Sequence, residues 1–228
     1  MSLAGIHPDA EQHPSPNFGD RRDGVIPSLV VLHYTAMQTA EAALERLCDP
    51  SAEVSAHYLI SEKGRVWQMV DESRRAWHAG AGQWRGISDV NSHSIGIELA
   101  NCGDHPFPEP QMVALEGLLK GICLRWKLVA GGVIGHSDMA PGRKFDPGPR
   151  FDWLRLERLG LAGRRGHDAG PGDPCADLFR RLARDAGYTA DVDDATLLAA
   201  VRLRYRPQAS GPLAPEDFTP IGHAAAWT

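Results

Sequence analysis

Two side chains able to ligate a metal stand ten positions apart in Val133-Ile-Gly-His-Ser-Asp-Met-Ala-Pro-Gly-Arg-Lys-Phe-Asp-Pro-Gly-Pro149. They are His136 and Asp146, with Lys144 between them. The run is rich in Pro and Gly and reads as a turn-rich loop, the usual seat of reactive side chains on a rigid frame. A third ligand is on offer in Val30-Val-Leu-His-Tyr-Thr35, where His33 closes an apolar, β-branched stretch that reads as a buried strand. Two imidazoles and one carboxylate leave a fourth position to water, the arrangement of a catalytic rather than a structural zinc. Amide hydrolysis at such a centre needs an acidified water, a base for its proton and a cation for the oxyanion. Glu98, inside Ile95-Gly-Ile-Glu-Leu99, is the best-placed carboxylate for the proton. Lys144 would meet the oxyanion as a point charge.

Each residue taken singly has an ordinary alternative. A histidine at a strand end is commonly a satisfied core or surface residue, Asp146 before Pro147 can open a turn, and Lys144 can be a solvated loop charge. Glu98 between Ile97 and Leu99 is harder to set aside, because a carboxylate in an apolar strand costs free energy unless paired or functional. His57, in Ser55-Ala-His-Tyr58, is expected to orient or underlie the site. His78, in Arg75-Ala-Trp-His-Ala-Gly80, sits among small residues beside Trp77, which suits either a groove wall or a loop anchor. His93, His105, His167 and His223 lie in polar stretches and receive no role.

These residues need a frame, and the chain supplies one. Residues 28–33 read as a central strand. Residues 39–47 have helical spacing, with Thr39 as a candidate N-cap. Residues 56–61 and 65–70 flank Glu62-Lys63-Gly64, a hairpin signature in which Gly64 is free to take positive φ. Residues 94–100 form a further strand. Residues 111–126 carry Met112, Leu115, Leu118, Leu119 and Ile122 on one helical face. The fold class is therefore α/β (α+β): a central mixed β-sheet flanked by helices, with the site at strand ends. Residues 1–24 are expected as an extended lead-in, 25–160 as the catalytic domain and 161–173 as a Gly/Arg/Pro linker. Residues 174–228 are expected as a small helical segment, with Asp193 or Asp194 capping its second helix.

The 228 residues, 43% of them hydrophobic, suffice for one ordinary core with a small satellite. The net charge of -5 comes without any basic block, which argues against a nucleic-acid partner. Cys48, Cys102, Cys123 and Cys175 are scattered without a C-x-x-C pair, so zinc-ribbon and redox motifs fail and separate thiols are favoured. No apolar stretch approaches the roughly 20 residues of a membrane span. No basic-then-apolar leader is visible either, so the expected location is cytoplasmic, with the periplasm or outer membrane as the alternative for a truncated chain. Oligomeric state is not encoded legibly.

The motifs VLHYTA, VSAHYLI, RAWHAG, NSHSIGIEL and VIGHSDMAPGRKFDPGPRFDW occur in the order seen in a known family. The chain resembles the zinc-dependent N-acetylmuramoyl-L-alanine amidases of the amidase_2 family, in the AmpD/AmiD-like branch related to peptidoglycan recognition proteins. The resemblance spans roughly residues 20 to 160. It implies one Zn2+ per chain on His33, His136 and Asp146, Glu98 and Lys144 as catalytic residues, and hydrolysis of the muramoyl–L-alanine amide during peptidoglycan recycling. It places Trp77 and His78 on the wall of a muropeptide groove, and Tyr34 and Arg143 are read with them as substrate contacts. Muropeptides or peptidoglycan fragments are thus the expected partners. Ala56 stands where some amidase-type phage lysozymes carry Tyr, which shifts the proton work to Glu98. Tyr34 stands where cytoplasmic recycling enzymes often carry Asn, pointing to the AmiD-like side. Two alternatives remain: an amidase acting on intact wall, and a recognition module that binds without cutting. The 174–228 segment faintly resembles the helical peptidoglycan-binding appendage of AmiD-like enzymes.

Overall fold

A computed structural model describes residues 9–222, so His223 lies outside the described residues. Its centre is β3 (Leu29–Tyr34), whose Leu29, Val30, Val31 and Leu32 are all fully buried. A strand apolar on both faces needs cover on both, as parallel sheets between helices have. With β1 (Glu11–Gln12), β4 (Tyr58–Ile60), β5 (Val66–Gln68), β7 (Ser94–Leu99) and β8 (Val133–Gly135), it forms a six-stranded sheet in the order β1-β5-β4-β7-β3-β8. The hairpin partners β4 and β5 are antiparallel and the other pairs are parallel. The sheet is therefore mixed, as the sequence predicts. A separate ribbon pairs β2 (Phe18–Gly19) with β6 (Arg75–Ala76).

One face carries Val30, Leu32, Ile95 and Ile97 against α3 (Glu109–Trp126) and α5 (Trp153–Arg158). The predicted stripe Met112, Leu115, Leu118, Leu119 and Ile122 is the buried side of α3. Each such aliphatic side chain is worth about 1.5–3 kcal/mol of burial. The opposite face is shared. Helix α1 (Ala40–Cys48), capped by Thr39 through the amide of Ala42 at 3.1 Å, covers Leu59 and Trp67. Leu29, Val31 and Ile134 instead meet α6 (Ala176–Ala186), α7 (Asp194–Tyr205) and α8 (Thr219–Gly222). Between these two covers, the ring of His78 lies over Gly96 of β7.

Several details differ from the expectation. Residues 9–21 are mostly extended and end in a 3-10 turn at Arg22–Gly24, but they are built into the fold: β1 adds to the sheet edge, and Arg21 is buried with its guanidinium on the carbonyls of Glu72, Ser92 and Ser94. The C-terminal helices share a core with the sheet. The glycines of the 161–173 stretch suggest a free linker, yet Leu161 and Ala162 sit in the α3-side core. Asp193, not Asp194, caps α7. His136 begins a short helix, α4 (His136–Met139), instead of lying in open loop, and α2 (Val90–His93) precedes β7. All four cysteines are free thiols. No helix of the described residues is long and apolar enough to cross a membrane.

A buried ion pair ties α4 to the C-terminal helices. Asp138 accepts from the Gly135 amide at 2.8 Å, from the Tyr188 hydroxyl at 2.7 Å and from Arg204. Arg204 also stacks over the Trp153 ring at 4.0 Å. Removing one partner of a sealed pair leaves an uncompensated charge, so Arg204→Met should lower unfolding free energy by about 3–5 kcal/mol in urea titrations. A loss below about 1 kcal/mol would show that water reaches Asp138.

Candidate active site

Strand register brings the chemistry together. In the parallel pair β3–β7, His33 lies directly beside Glu98; in β3–β8, Leu32 lies beside Gly135, so His136 follows at the same level as His33. The three side chains thus emerge at the carboxyl ends of adjacent parallel strands, where α/β sheets bind ligands. The chain after α4 folds back through Lys144 N–H on the Ala140 carbonyl and Ser137 N–H on the Asp146 carbonyl, at 3.0 and 2.9 Å. That return delivers Asp146 to the two histidines.

His33 Nδ1 and His136 Nδ1 are 2.9 Å apart, and Asp146 Oδ2 is 2.9 and 3.0 Å from them. These three buried residues form a group able to hold a metal ion. The hydrogen bonds around them test the fit. His136 Nε2 lies 2.8 Å from the Ala79 carbonyl, which can only accept, so Nε2 carries the ring proton. A neutral His136 then presents a bare Nδ1 to a carboxylate oxygen, and lone pairs facing one another ask for a cation. Burial, and then the neighbouring His136, push His33 down to about 4, so that ring is neutral at pH 7 as a ligand must be. The donor set fits a metal.

Glu98 shows the complementary strain. Its Oε2 is sealed from water and has no hydrogen-bond partner. Burial, and then the charge of Asp146, push its carboxyl up to about 8, with Lys144 pulling the other way. A carboxylate poised near neutrality inside a cleft is suited to taking and returning a proton. Lys144 is half-buried on the cleft wall and makes no ion pair among the described residues.

The cleft above these groups holds about 350 Å³, and Tyr34, Trp77, His78, Arg143 and Phe145 line it together with Arg46 of α1. Tyr34 packs toward Gly103 and Gly148, where an added Cβ would lie 2.9 and 3.3 Å from its ring. Arg143 reaches back to the carbonyls of Ala79 and Ala81, which pins the 79–81 loop to the ligand-bearing one. His57 lies beneath, accepting the Gly96 amide on Nδ1 and donating from Nε2 to the Arg74 carbonyl. Burial, and then Arg21, push it down to about 3. His78 does more than line the wall: its ring lies over Gly96, and its Nδ1 is 3.0 Å from His33 Nε2. Sequence reasoning passed over Arg46, Phe145, Asn91 and Ser94. Phe145 stands between Lys144 and Asp146 and is 63% exposed, a signal in plain view. Asn91 and Ser94 sit inside NSHSIGIEL but reveal their contacts only in three dimensions.

Residues 22–149 match the family model described as N-acetylmuramoyl-L-alanine amidase. The chain is 37% identical over 213 aligned residues to N-acetylmuramoyl-L-alanine amidase AmiD of Escherichia coli (strain K12), covering 78% of this chain and 75% of that one. It is 34% identical to 1,6-anhydro-N-acetylmuramyl-L-alanine amidase AmpD of Citrobacter freundii, covering 66% of this chain and 90% of that one. Among solved structures, it resembles E. coli AmiD in complex with the substrate anhydro-N-acetylmuramic acid-L-Ala-D-gamma-Glu-L-Lys. That match has a TM-score of 0.76 and 30% identity, over 91% of this chain and 96% of that one. A match of that extent takes in the C-terminal helices as well as the sheet.

Proposed function

The chain belongs to the N-acetylmuramoyl-L-alanine amidase family, and on that footing we propose how its cleft works and on what. It cleaves the amide between the lactyl carbonyl of muramic acid and the amino group of L-alanine in soluble muropeptides released during peptidoglycan recycling. The substrate bound to the AmiD relative and the 1,6-anhydro specificity in the AmpD relative's name support that class. His33, His136 and Asp146 hold one zinc ion, which when bound supplies Lewis acidity to water and carbonyl. The observation that carries the reading is the meeting of this donor set with an unpaired carboxyl, Glu98, on the adjacent strand.

Glu98 takes a proton from the attacking water as its oxygen bonds to the lactyl carbonyl carbon. Lys144 faces the oxyanion that develops, where its ammonium meets the charge that forms in the transition state. The C–N bond then breaks, its electron pair stays on nitrogen, and Glu98 returns the proton to the departing L-alanine amine. The products are the muramic acid carboxylate and a free peptide. Trp77 offers a broad apolar face for the ligand, and Arg143 keeps the 79–81 wall in place for it.

A paired assay tests this. Anhydro-muramoyl tripeptide should release free tripeptide, lose that reaction on chelation and regain it with zinc. Intact sacculi are expected to be cut much more slowly. Equal cleavage of sacculi would move the substrate to intact wall, and zinc binding without cleavage of either would make the chain a recognition module.

A further inference from the structure

Ser94 Oγ lies 2.6 Å from the Val90 carbonyl, and a contact that short between two oxygens holds the single hydroxyl hydrogen. Ser94 Oγ is therefore only an acceptor toward His78 Nε2, 3.1 Å away, so His78 carries its proton on Nε2. An imidazole with its single N–H on Nε2 has a bare Nδ1. That bare Nδ1 faces His33 Nε2 at 3.0 Å, so His33 must donate from Nε2. Its own Nδ1, the atom turned toward His136 and Asp146, is then left without a proton.

We propose that His78, oriented by Ser94, is a positioning residue that fixes the tautomer and ring direction of His33 for metal binding. The proposal rests on the zinc reading above and reassigns His78 from groove wall to support. Two independent features seat the ring. Asn91 Oδ1 accepts from the backbone amides of His78 and Ala79 at 3.1 and 2.8 Å. Gly96 leaves room for it, since an added Cβ there would fall 2.4 Å from His78 Cγ. The relay Val90–Ser94–His78–His33 thus runs from the carbonyl of a short helix to a metal donor, and supports of this kind raise ligand basicity and lock its direction.

The test uses the full-length protein, with zinc alone as probe. Long-range proton–nitrogen spectra of the metal-free wild type should show His33 and His78 protonated on Nε2 and bare on Nδ1. A His33 proton on Nδ1 would overturn the proposal outright. In competition with a chromophoric chelator, His78→Leu should bind zinc about 10–100-fold more weakly. His78→Gln should recover most of that loss, because its carbonyl can accept from His33 and its amide can donate to Ser94. Equal weakening in both variants would reduce His78 to packing, as would zinc affinity unchanged in the leucine variant. A wild type that binds no zinc would defeat the functional reading instead, while the metal-free spectra would still decide the relay.

Discussion

Exchanging Glu98 for glutamine is expected to slow hydrolysis of the muropeptide amide by about 10²–10⁴-fold, the usual worth of a general acid–base group. Zinc content should not change, since Glu98 is not among the donors His33, His136 and Asp146. Glutamine keeps the shape of the side chain but has no proton affinity near neutrality. Turnover within tenfold of wild type, with the metal retained, would mean that another group carries the proton. The same variant has a second, opposite signature. Burial and the charge of Asp146 push the folded carboxyl up to about 8, whereas its ordinary value is 4.5. Between those values the unfolded chain releases a proton that the folded, metal-free protein keeps. The stability tied to this carboxyl is whole below about pH 4.5 and falls as pH rises toward 8, by about 1.4 kcal/mol per unit at the steepest. Metal-free E98Q has nothing to ionise there. It should outlast metal-free wild type in denaturant at pH 8 and match it near pH 4.5. A stability difference that does not change with pH would show that the carboxylate is solvated and remove the strain assigned to it.

That strain explains what the sequence discloses and what it hides. Glu98 is conspicuous because a carboxylate between Ile97 and Leu99 contradicts its strand, and a local contradiction is visible in one dimension. The run ending at His33 and the helical stripe of α3 are equally local, so the strands and helices that carry the site follow from periodicity. Pairing is another matter. Nothing in residues 11–12 announces that they extend the sheet beside β5, because two residues carry no period. The polar, Gly-rich approach to α6 suggests detachment, yet Phe179, Tyr188 and Val201 close over Leu29 and Val31. Amphipathic helices advertise a buried face without naming what buries it. The bond from Arg204 to Asp138 spans 66 positions and has no local signature at all. His78 was legible as a loop residue among small neighbours. Its second role depends on Gly96 lacking a side chain on a different strand.

Asp146→Ala should remove metal and activity together, with hydrolysis falling by about 10³-fold or more, because several kcal/mol of transition-state stabilisation leave with the ion. Of the three donors, the two imidazoles are neutral in their ligating form, so Asp146 supplies the only negative charge that meets a divalent cation. The loop itself should survive, since its return to α4 is made by the backbone carbonyl of residue 146, which alanine keeps. Asp146→Asn retains an oxygen donor without the charge and should fall between alanine and wild type in zinc retained after a chelator wash. Glu98 responds as well, because the Asp146 charge is one of the two causes that raise it. In the metal-free alanine variant the Glu98 carboxyl should therefore be raised less far than in wild type. E98Q keeping metal while losing rate, and D146A losing both, would separate proton transfer from metal holding. Asp146→Ala retaining zinc would instead put that carboxylate among the groups that handle substrate, and leave His33 and His136 short of a third ligand.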